Sequence, residues 1–519
     1  MKTKPVNKIL LAVLALTISI PLISQKKKKE KPNILFIVVD DLKPVLGIYG
    51  NKQVKTPAMD KLAKKGVVFE NTYVQQAVCA PSRISAFTGM RPDRTKVTDL
   101  RTDMRKMNPD IVTLPQFFKR HGYETAGLGK LMHGARNNDP RSWTIPWKDG
   151  AKLSYAKGYK APVFNMFQNP ETQKLVENVD LSSMKRKEIV QFLRQNNAFQ
   201  AIECLDVPDD AYTDGAVANE AVDLLDSFAS SKKLFFLAVG FHKPHLPFVA
   251  PKKYWDMYDR KKIPLAEFQQ HAKNSPKYAY HTWGELRKYS DIPAQGALDT
   301  AKQKELIHAY WSSVSYVDAQ IGKVLDALKE KGLAKNTIVV LWGDHGWHLG
   351  DHGLWCKHTN FEQATKTPLI ISAPGYKKNK KAAGMTEIVD LFPTLVEYAG
   401  FKVPEKLEGE SLIPMLKNPD TEIKDYAISQ YPRGKNIMGY SIRTKRYRLT
   451  LWLQGDFKNN ELYRDPQIAA VELYDYQNDP LEKTSLANNP EYKNIINNLQ
   501  SKLLNILISK ANIQKKQHK

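Results

Sequence analysis

The sequence predicts an α/β fold: a mixed, mostly parallel sheet flanked by helices, followed by a smaller C-terminal α+β antiparallel subdomain. Several short segments are apolar at every position, which is typical of strands buried on both faces of a sheet. Helical patterns lie between these segments, as in a parallel sheet. After about residue 420 the pattern changes to short, tyrosine-rich strands. We therefore expect a larger domain over residues 32–420 and a subdomain over 421–519.

Four apolar segments are predicted to be strands of the larger domain, and each ends in polar residues. In chain order they are Ile34–Val39, the segment YETAGLG, Leu234–Val239 and Ile338–Trp342. The polar residues that follow them are Asp40 and Asp41, Lys130 and His133, His242, and Asp344 and His345. Ligands of such sheets bind outside the carboxyl ends of the strands. We therefore expect these side chains to share one site.

Helices are predicted between the strands and at the end of the chain. The segment DKLAKKG follows Pro57, DGAVANEAVDLLDSFASS precedes the third strand, and YVDAQIGKVLDALKEKG ends at Gly332. In the subdomain we predict a final helix near 491–510 and four strands before it: YAISQYP, MGYSIRT, YRLTLWL and AVELYDY. Residues 140–210 are rich in loops, and we interpret them as an insertion over the site.

The composition is that of a soluble globular protein with an excess of positive charge. Of 519 residues, 42% are hydrophobic and 25% charged, which argues against disorder and against several membrane spans. The formal net charge of +24 suits a polyanionic partner such as nucleic acid, an anionic surface or a sulfated glycan. No zinc-finger spacing or RNA-binding aromatic signature accompanies the charge, so nucleic acid is not expected.

The N-terminus has the pattern of a secretory signal peptide over residues 1–24. The apolar run Ile9–Ile23 follows three lysines, Lys2, Lys4 and Lys8. The run contains Pro21 and is shorter than a helix that crosses a membrane. We therefore expect an exported protein, periplasmic or secreted, without a membrane span.

Cys79 lies in the segment CAPSRISAFTG and is one of three cysteines, too few for a disulfide framework. A cysteine can bind a metal, fill a core or act as a nucleophile, but this segment resembles the sulfatase family signature. The segments VDDLKP, FFLAVGFHKPHLPF and DHGWHLG are similar to the iduronate-2-sulfatase branch. The resemblance implies an alkaline-phosphatase-like fold. It also implies that a formylglycine-generating enzyme converts Cys79 to formylglycine (3-oxoalanine) during maturation.

Three aspartates are candidate metal ligands: Asp40, Asp41 and Asp344. Two like charges about 4 Å apart repel by about 4 kcal/mol at an effective dielectric constant of 20, and a bound cation reverses that penalty. Carboxylate oxygens suit a hard ion, calcium first and magnesium second. The resemblance implies one Ca²⁺ per subunit, held by these carboxylates with the modified Cys79 and with His345, where many sulfatases have asparagine.

The resemblance also assigns roles to the remaining polar residues. A hydrated aldehyde offers two hydroxyls, one to attack sulfur and one to release sulfate afterwards. In this scheme Arg83 holds the modified side chain, and Lys130 and Lys357 bind the sulfate oxygens. His242 protonates the leaving alcohol, and His133 orients or deprotonates the aldehyde hydrate. His245 would contact these groups without touching the substrate, or would have a structural role. Sugar-side candidates are Trp347, His358 and Arg443.

The sequence thus predicts an exported, calcium-dependent sulfatase acting on a sulfated polysaccharide or its oligosaccharides. Uronic-acid-containing substrates such as algal ulvan, or iduronate 2-sulfate in heparan or dermatan, are the candidates. Two alternatives stay open at this point. One is phosphomonoester or phosphonate hydrolysis on the same scaffold, and the other is a non-catalytic protein that binds sulfated glycans.

Overall fold

The computed structural model describes residues 1, 3, 30–181 and 183–515. Apart from Met1 and Thr3, the predicted signal peptide lies outside the described residues. Within the described part of the chain, none of the helices combines the length and the apolar character that crossing a membrane requires.

Strands and helices are interspersed along the chain as far as α14, and the last four strands follow one another. The strands are β1 (Asn33–Val39), β2 (Val67–Tyr73), β3 (Glu124–Gly129), β4 (Ile145–Lys148), β5 (Ile202–Leu205), β6 (Phe235–Phe241), β7 (Phe248–Pro251), β8 (Thr337–Gly343), β9 (His348–Leu349), β10 (Trp355–Cys356), β11 (Lys366–Ser372), β12 (Lys380–Glu387), β13 (Ala427–Arg433), β14 (Ile437–Arg443), β15 (Tyr447–Gln454) and β16 (Ile468–Asp475). The helices are α1 (Pro57–Ala63), α2 (Cys79–Thr88), α3 (Pro92–Thr95), α4 (Met104–Met107), α5 (Leu114–Arg120), α6 (Gly134–Asn137), α7 (Pro170–Val176), α8 (Arg186–Gln195), α9 (Thr213–Ser231), α10 (Lys252–Trp255), α11 (Thr300–Glu330), α12 (Glu362–Thr365), α13 (Leu391–Tyr398), α14 (Ile413–Lys417) and α15 (Lys493–Lys515).

A mixed sheet of eight strands forms the centre of the larger domain, in the order β12-β2-β11-β8-β1-β6-β3-β4. All its pairs are parallel except those of β11, which runs antiparallel to β2 and β8. Every residue of β1 is buried, and its side chains alternate between two apolar cores. Leu35 and Ile37 pack in the core with α9 and α11, whereas Ile34 and Phe36 pack in the core with α2, α5 and α13. Helices on both faces therefore explain the uninterrupted apolar strands.

The C-terminal part folds as an antiparallel sheet of four strands in the order β13-β14-β15-β16. Helix α15 packs on this sheet, with Leu503 and Leu507 in one apolar core with Leu449 and Leu451. The predicted fold class, a mixed, mostly parallel sheet with a small antiparallel α+β part after it, is confirmed.

Residues 140–210 contain more regular structure than the expected loops. Strand β4 extends the large sheet beside β3, and β5 pairs in parallel with β7. Helices α7 and α8 complete the segment. Both strands have only four residues, so neither shows enough periodicity to be recognised in the sequence. Because β3 and β4 are parallel, Asp149 after β4 lies at the same edge of the sheet as Lys130 after β3.

Candidate active site

The polar residues predicted to share a site do converge, because four adjacent strands of the sheet end at one edge. Strands β8, β1, β6 and β3 are neighbours in that order, and all are parallel. Their carboxyl ends carry Asp344, Asp40 and Asp41, His242 and Lys130 respectively. Cys79 is the first residue of α2, so the positive end of this helix lies at the cysteine.

The three aspartates are fully buried, and Arg83 joins two of them, Asp40 and Asp344. The Arg83 guanidinium donates from Nη2 to Asp40 Oδ1 and from Nε to Asp344 Oδ2, both at 2.8 Å. The backbone N–H of Asp41 donates to Asp344 Oδ1 at 2.8 Å. Burial by itself would raise the pKa of Asp40, but the charges of Lys130 and Arg83 hold that pKa well below its usual value. Asp40 is therefore a stable anion.

Cys79 lies among these groups and is only 1% exposed. Its Sγ is 3.4 Å from His345 Nε2, 3.8 Å from Lys130 Nζ and 4.0 Å from Asp41 Oδ1. Burial raises the pKa of the Cys79 thiol. The position of the thiol, in contact with cationic and anionic groups alike, distinguishes it from a cysteine that fills an apolar core.

The donor atoms around Cys79 fit a hard divalent cation. Asp41, Cys79, Asp344 and His345 each offer one ligand atom, and these atoms lie within 4.8 Å of one another. The second group is Asp40, Asp41, Cys79 and His245. Carboxylate oxygens, which supply two of the four atoms in each group, are typical ligands of Ca²⁺ and Mg²⁺. Asp41 belongs to both groups, Asp344 to the first and Asp40 to the second, so each of the three aspartates lies in at least one group.

The orientation of His345 is compatible with a ligand role. Its Nδ1 lies 3.0 Å from the carbonyl oxygen of Gly346. Because a carbonyl oxygen can only accept, Nδ1 carries a hydrogen, which leaves Nε2 as the ring nitrogen that would bind a metal. Nε2 is 3.3 Å from Asp41 Oδ1 and 3.6 Å from Asp344 Oδ2.

Two lysines place positive charge next to Cys79. Lys130 Nζ contacts Asp40 Oδ2, and Lys357 Nζ lies 3.0 Å from both carboxylate oxygens of Asp41. The Lys357 side chain is 1% exposed and that of Lys130 is 13% exposed. Buried or nearly buried ammonium groups attract an anion strongly, because little water screens them.

The histidines lie around the same centre with different partners. His242 Nε2 is 2.9 Å from Asp149 Oδ1, and His245 Nε2 is 3.1 Å from Glu285 Oε1. His133 has the positive backbone φ of 65°, and its Nδ1 is buried with no hydrogen-bond partner among the described residues. Burial and the charge of Lys130 lower the pKa of His133 to about 3, so this ring is neutral.

Three residues of this region were not predicted: Asp149, Glu285 and Tyr431. Glu285 accepts from Lys357 Nζ, and its carboxylate also lies 3.1 Å from His358 Nε2. Tyr431 OH is 2.6 Å from the other nitrogen of His358. Asp149 and Glu285 follow no predicted strand and belong to no recognisable motif, and their place in the site depends on how the surrounding loops fold. Tyr431 lies in the predicted strand YAISQYP, which is β13, but nothing in that segment indicated a role at the site.

Two of the sugar-side candidates do not present a free surface. Trp347 is 1% exposed and lies under Lys357, whose Nζ is 4.9 Å from the ring centroid. Arg443 is bound to Glu362 at 3.1 Å and stacks on Tyr476 at 3.5 Å. Of the three candidates, His358 lies at the site, and its side chain is 21% exposed.

Comparison with known proteins relates this arrangement to one family. The sulfatase family model matches residues 32–401, and the model for the C-terminal part of N-sulphoglucosamine sulphohydrolase matches residues 350–509. The chain is 34% identical to iduronate 2-sulfatase of Mus musculus, over 90% of this chain and 93% of the relative. It is 27% identical to an ulvan-active sulfatase of Formosa agariphila, over 94% of this chain and 85% of the relative.

The fold is also shared with a solved structure. The structural match covers 94% of this chain and 99% of the other chain, with a TM-score of 0.70 and 22% sequence identity. That protein was solved in complex with D-glucosamine-2-N,6-O-disulfate, described as its substrate.

Proposed function

This chain belongs to the sulfatase family and is a sulfuric ester hydrolase, and on that premise we propose that it hydrolyses sulfate esters of a uronic-acid-containing polysaccharide or its oligosaccharides. The proposal includes one calcium ion per subunit and a formylglycine made from Cys79. The observation that supports it most directly is the position of Cys79, whose Sγ has a carboxylate, an imidazole and an ammonium group within 4.0 Å.

The metal and the modified cysteine would supply two kinds of chemistry. A calcium ion would be bound by Asp40, Asp41, Asp344, His345 and the modified Cys79, and it would supply positive charge for the sulfate oxygens. The hydrated aldehyde at position 79 would supply one hydroxyl to attack sulfur and a second hydroxyl to release sulfate.

The remaining residues bind the sulfate group and move protons. Lys130 and Lys357 attract the sulfate oxygens, and the positive end of α2 adds to this field. Arg83 fixes Asp40 and Asp344 through its guanidinium, so it orients the carboxylates in addition to holding residue 79. His133 is neutral and can accept a proton, whereas His242 donates one to the leaving alcohol oxygen. These two histidines therefore have opposite tasks.

The substrate class is supported by the relatives and by charge. One relative is named for iduronate, a uronic acid, and another for ulvan, and the net charge of +24 suits a polyanion. A panel of defined sulfated oligosaccharides, from iduronate 2-sulfate disaccharides to ulvan fragments, distinguishes these substrates through kcat/KM.

The same proposal places the enzyme outside the cytoplasm, in the periplasm or secreted, where such polymers are found. It also requires a formylglycine-generating enzyme as a maturation partner. Fractionation of producing cells tests the location, since the mature protein should lack residues 1–24.

Mass spectrometry of the peptide that carries Cys79 tests the reaction chemistry. Conversion of the thiol to an aldehyde lowers the peptide mass by about 18 Da. We expect the converted fraction to track turnover of nitrophenyl sulfate, and Cys79→Ala to fold normally without turnover. An active preparation with an unmodified thiol would contradict the mechanism, and faster turnover of nitrophenyl phosphate would favour a phosphate ester as the substrate.

A further inference from the structure

The side chain of His242 is paired with an aspartate that comes from the 140–210 segment. His242 Nε2 lies 2.9 Å from Asp149 Oδ1, and the side chains are 16% and 13% exposed. Asp149 directly follows β4, which is the strand that this segment adds to the edge of the large sheet. The contact therefore connects the segment to the centre of the site.

The backbone at His242 is fixed independently of this pair. The N–H groups of His242 and Lys243 donate to the two carboxylate oxygens of Asp214 at 2.7 and 2.8 Å. Asp214 lies in the first turn of α9 and is 1% exposed. Asp214 thus sets the position of the backbone, and Asp149 is left to set the orientation of the ring.

The pairing determines which ring nitrogen can act as an acid. An ionised carboxylate only accepts hydrogen bonds, so Nε2 carries the hydrogen that faces Asp149. Within the described part of the chain, no protein group hydrogen-bonds to Nδ1 of His242. A second proton on the ring is therefore carried at Nδ1 and is free to be donated.

Three charged groups act on this ring. Burial works against the imidazolium, but Asp149 and, more weakly, Asp214 overcome it and raise the pKa of His242, while Lys130 opposes them. The same contact holds the pKa of Asp149 below its usual value, against the effect of burial. The contact therefore favours the charged form of both members of the pair.

We propose that Asp149 is a positioning residue for His242, which it holds as an imidazolium with Nδ1–H directed to the leaving oxygen. This inference rests on the proposed function of His242. When the sulfur–oxygen bond breaks, its electron pair stays on the alcohol oxygen, which takes the proton from Nδ1. The ring becomes neutral and keeps its Nε2 hydrogen bond to Asp149, so no proton passes to the carboxylate.

The variant Asp149→Asn tests the proposal, because an amide oxygen still accepts from Nε2 but carries no charge. Activity of the acid is lost as pH rises through the pKa of His242, and removing the negative charge brings that loss to lower pH. We expect the basic limb of kcat/KM for a sugar sulfate to move down by about one pH unit, which is roughly tenfold at pH 8. Nitrophenyl sulfate, whose leaving group needs no proton, should change less than about twofold.

Two further variants serve as controls. Asp149→Glu keeps the charge and should recover most of the lost rate, and Glu171→Gln removes an exposed carboxylate of the same segment and should leave both profiles unchanged. Selective histidine labelling of the unmatured Cys79→Ala protein gives a readout that needs no turnover. There, Asp149→Asn should lower the pKa of the His242 signal, assigned by its loss in His242→Asn.

An unshifted basic limb together with an unchanged His242 titration would overturn the proposal. Equal losses on sugar and nitrophenyl sulfates would do the same, because they would indicate a merely structural role. Failure of the proposed function would be distinguishable, since it would appear as absent turnover in the parent enzyme with residue 79 converted.

Discussion

At the scale of single residues, Arg83 does more for the site than its position beside the cysteine suggests. It is 0% exposed, and besides the two aspartates it donates to the backbone carbonyls of Lys130 and Leu131. A planar guanidinium can serve four acceptors at once, whereas a lysine ammonium offers three donors and no fixed plane. Arg83 therefore joins the ends of β1, β3 and β8 into one structure.

Asp344→Asn should separate metal binding from folding. The amide keeps the size of the side chain but removes one of the three carboxylates, so calcium should bind more weakly. Loss of an outer hydrogen-bond partner of a metal ligand already costs 10–100-fold, so we expect activity to fall by more than about 100-fold. Calcium content by elemental analysis and turnover of nitrophenyl sulfate measure the two effects.

The matched control for this prediction is Asp420→Asn. Asp420 is exposed, and it is not one of the residues that follow the strands of the site. It should retain both calcium and activity. Full calcium stoichiometry in Asp344→Asn would show that this carboxylate is not a ligand.

Sequence reasoning found the site residues that follow long strands or that the family resemblance assigns, and it missed Asp149 and Glu285, which come from loops. Asp40 and Asp344 end long apolar runs, and because parallel strands share one edge, their meeting was predictable. Asp149 follows a strand of four residues, and Glu285 lies in a segment between helices. Neither residue has a local pattern that marks it, since only the packing of distant segments brings it to His242 or Lys357.

At the scale of elements, the four strands predicted for the larger domain (β1, β3, β6 and β8) were located to within two residues, because apolar runs bounded by polar residues mark them clearly. Strands β2, β11 and β12 of the same sheet were not predicted. Strand β4 was missed, because its sequence IPWK contains a proline. None of its four residues is fully buried, so it is not an uninterrupted apolar run. Proline is tolerated there because β4 is the edge strand of the large sheet. This edge position is what carries Asp149 to the site.

The C-terminal sheet contains a buried acid that makes stability depend on pH. Burial raises the pKa of Glu472 to about 7, although Trp452 Nε1 and Tyr474 OH each donate to its carboxylate at 2.7 Å. The folded state therefore keeps a proton that the unfolded state loses above its ordinary pKa of 4.5. The stability that this proton contributes is complete below pH 4.5 and is lost as pH rises to about 7.

Glu472→Gln should remove this dependence, because the amide can accept from Trp452 and donate to the oxygen of Tyr474 without ionising. We expect the variant to be more stable than the parent at pH 8 by roughly 3 kcal/mol, and similar to it at pH 4.5. Thermal unfolding at both pH values measures the difference. The same Tm difference at the two pH values would mean that Glu472 does not titrate in this range.

At the scale of the whole molecule, buried ion pairs connect the large sheet to the C-terminal part. Arg91, after α2, pairs with Glu387 at the end of β12, and Lys424 binds both Glu387 and Asp390. All four side chains are at most 5% exposed. Removing one partner of a buried pair leaves an uncompensated charge, which typically costs 3–5 kcal/mol. This network therefore fixes how the two parts of the chain meet.

The net charge of the whole molecule should be visible in its kinetics. A formal charge of +24 attracts a polyanion through many weak, long-range electrostatic interactions. Salt screens these interactions, because the Debye length falls from about 10 Å at 0.1 M to about 3 Å at 1 M. For a sulfated polysaccharide we expect kcat/KM to fall by roughly tenfold or more between 0.05 and 0.5 M NaCl. Nitrophenyl sulfate carries one charge and reacts in a site whose lysines are nearly buried, so its kcat/KM should change less than about threefold over the same range. Parallel salt profiles for the two substrates would show that the surface charge takes no part in capturing the polymer.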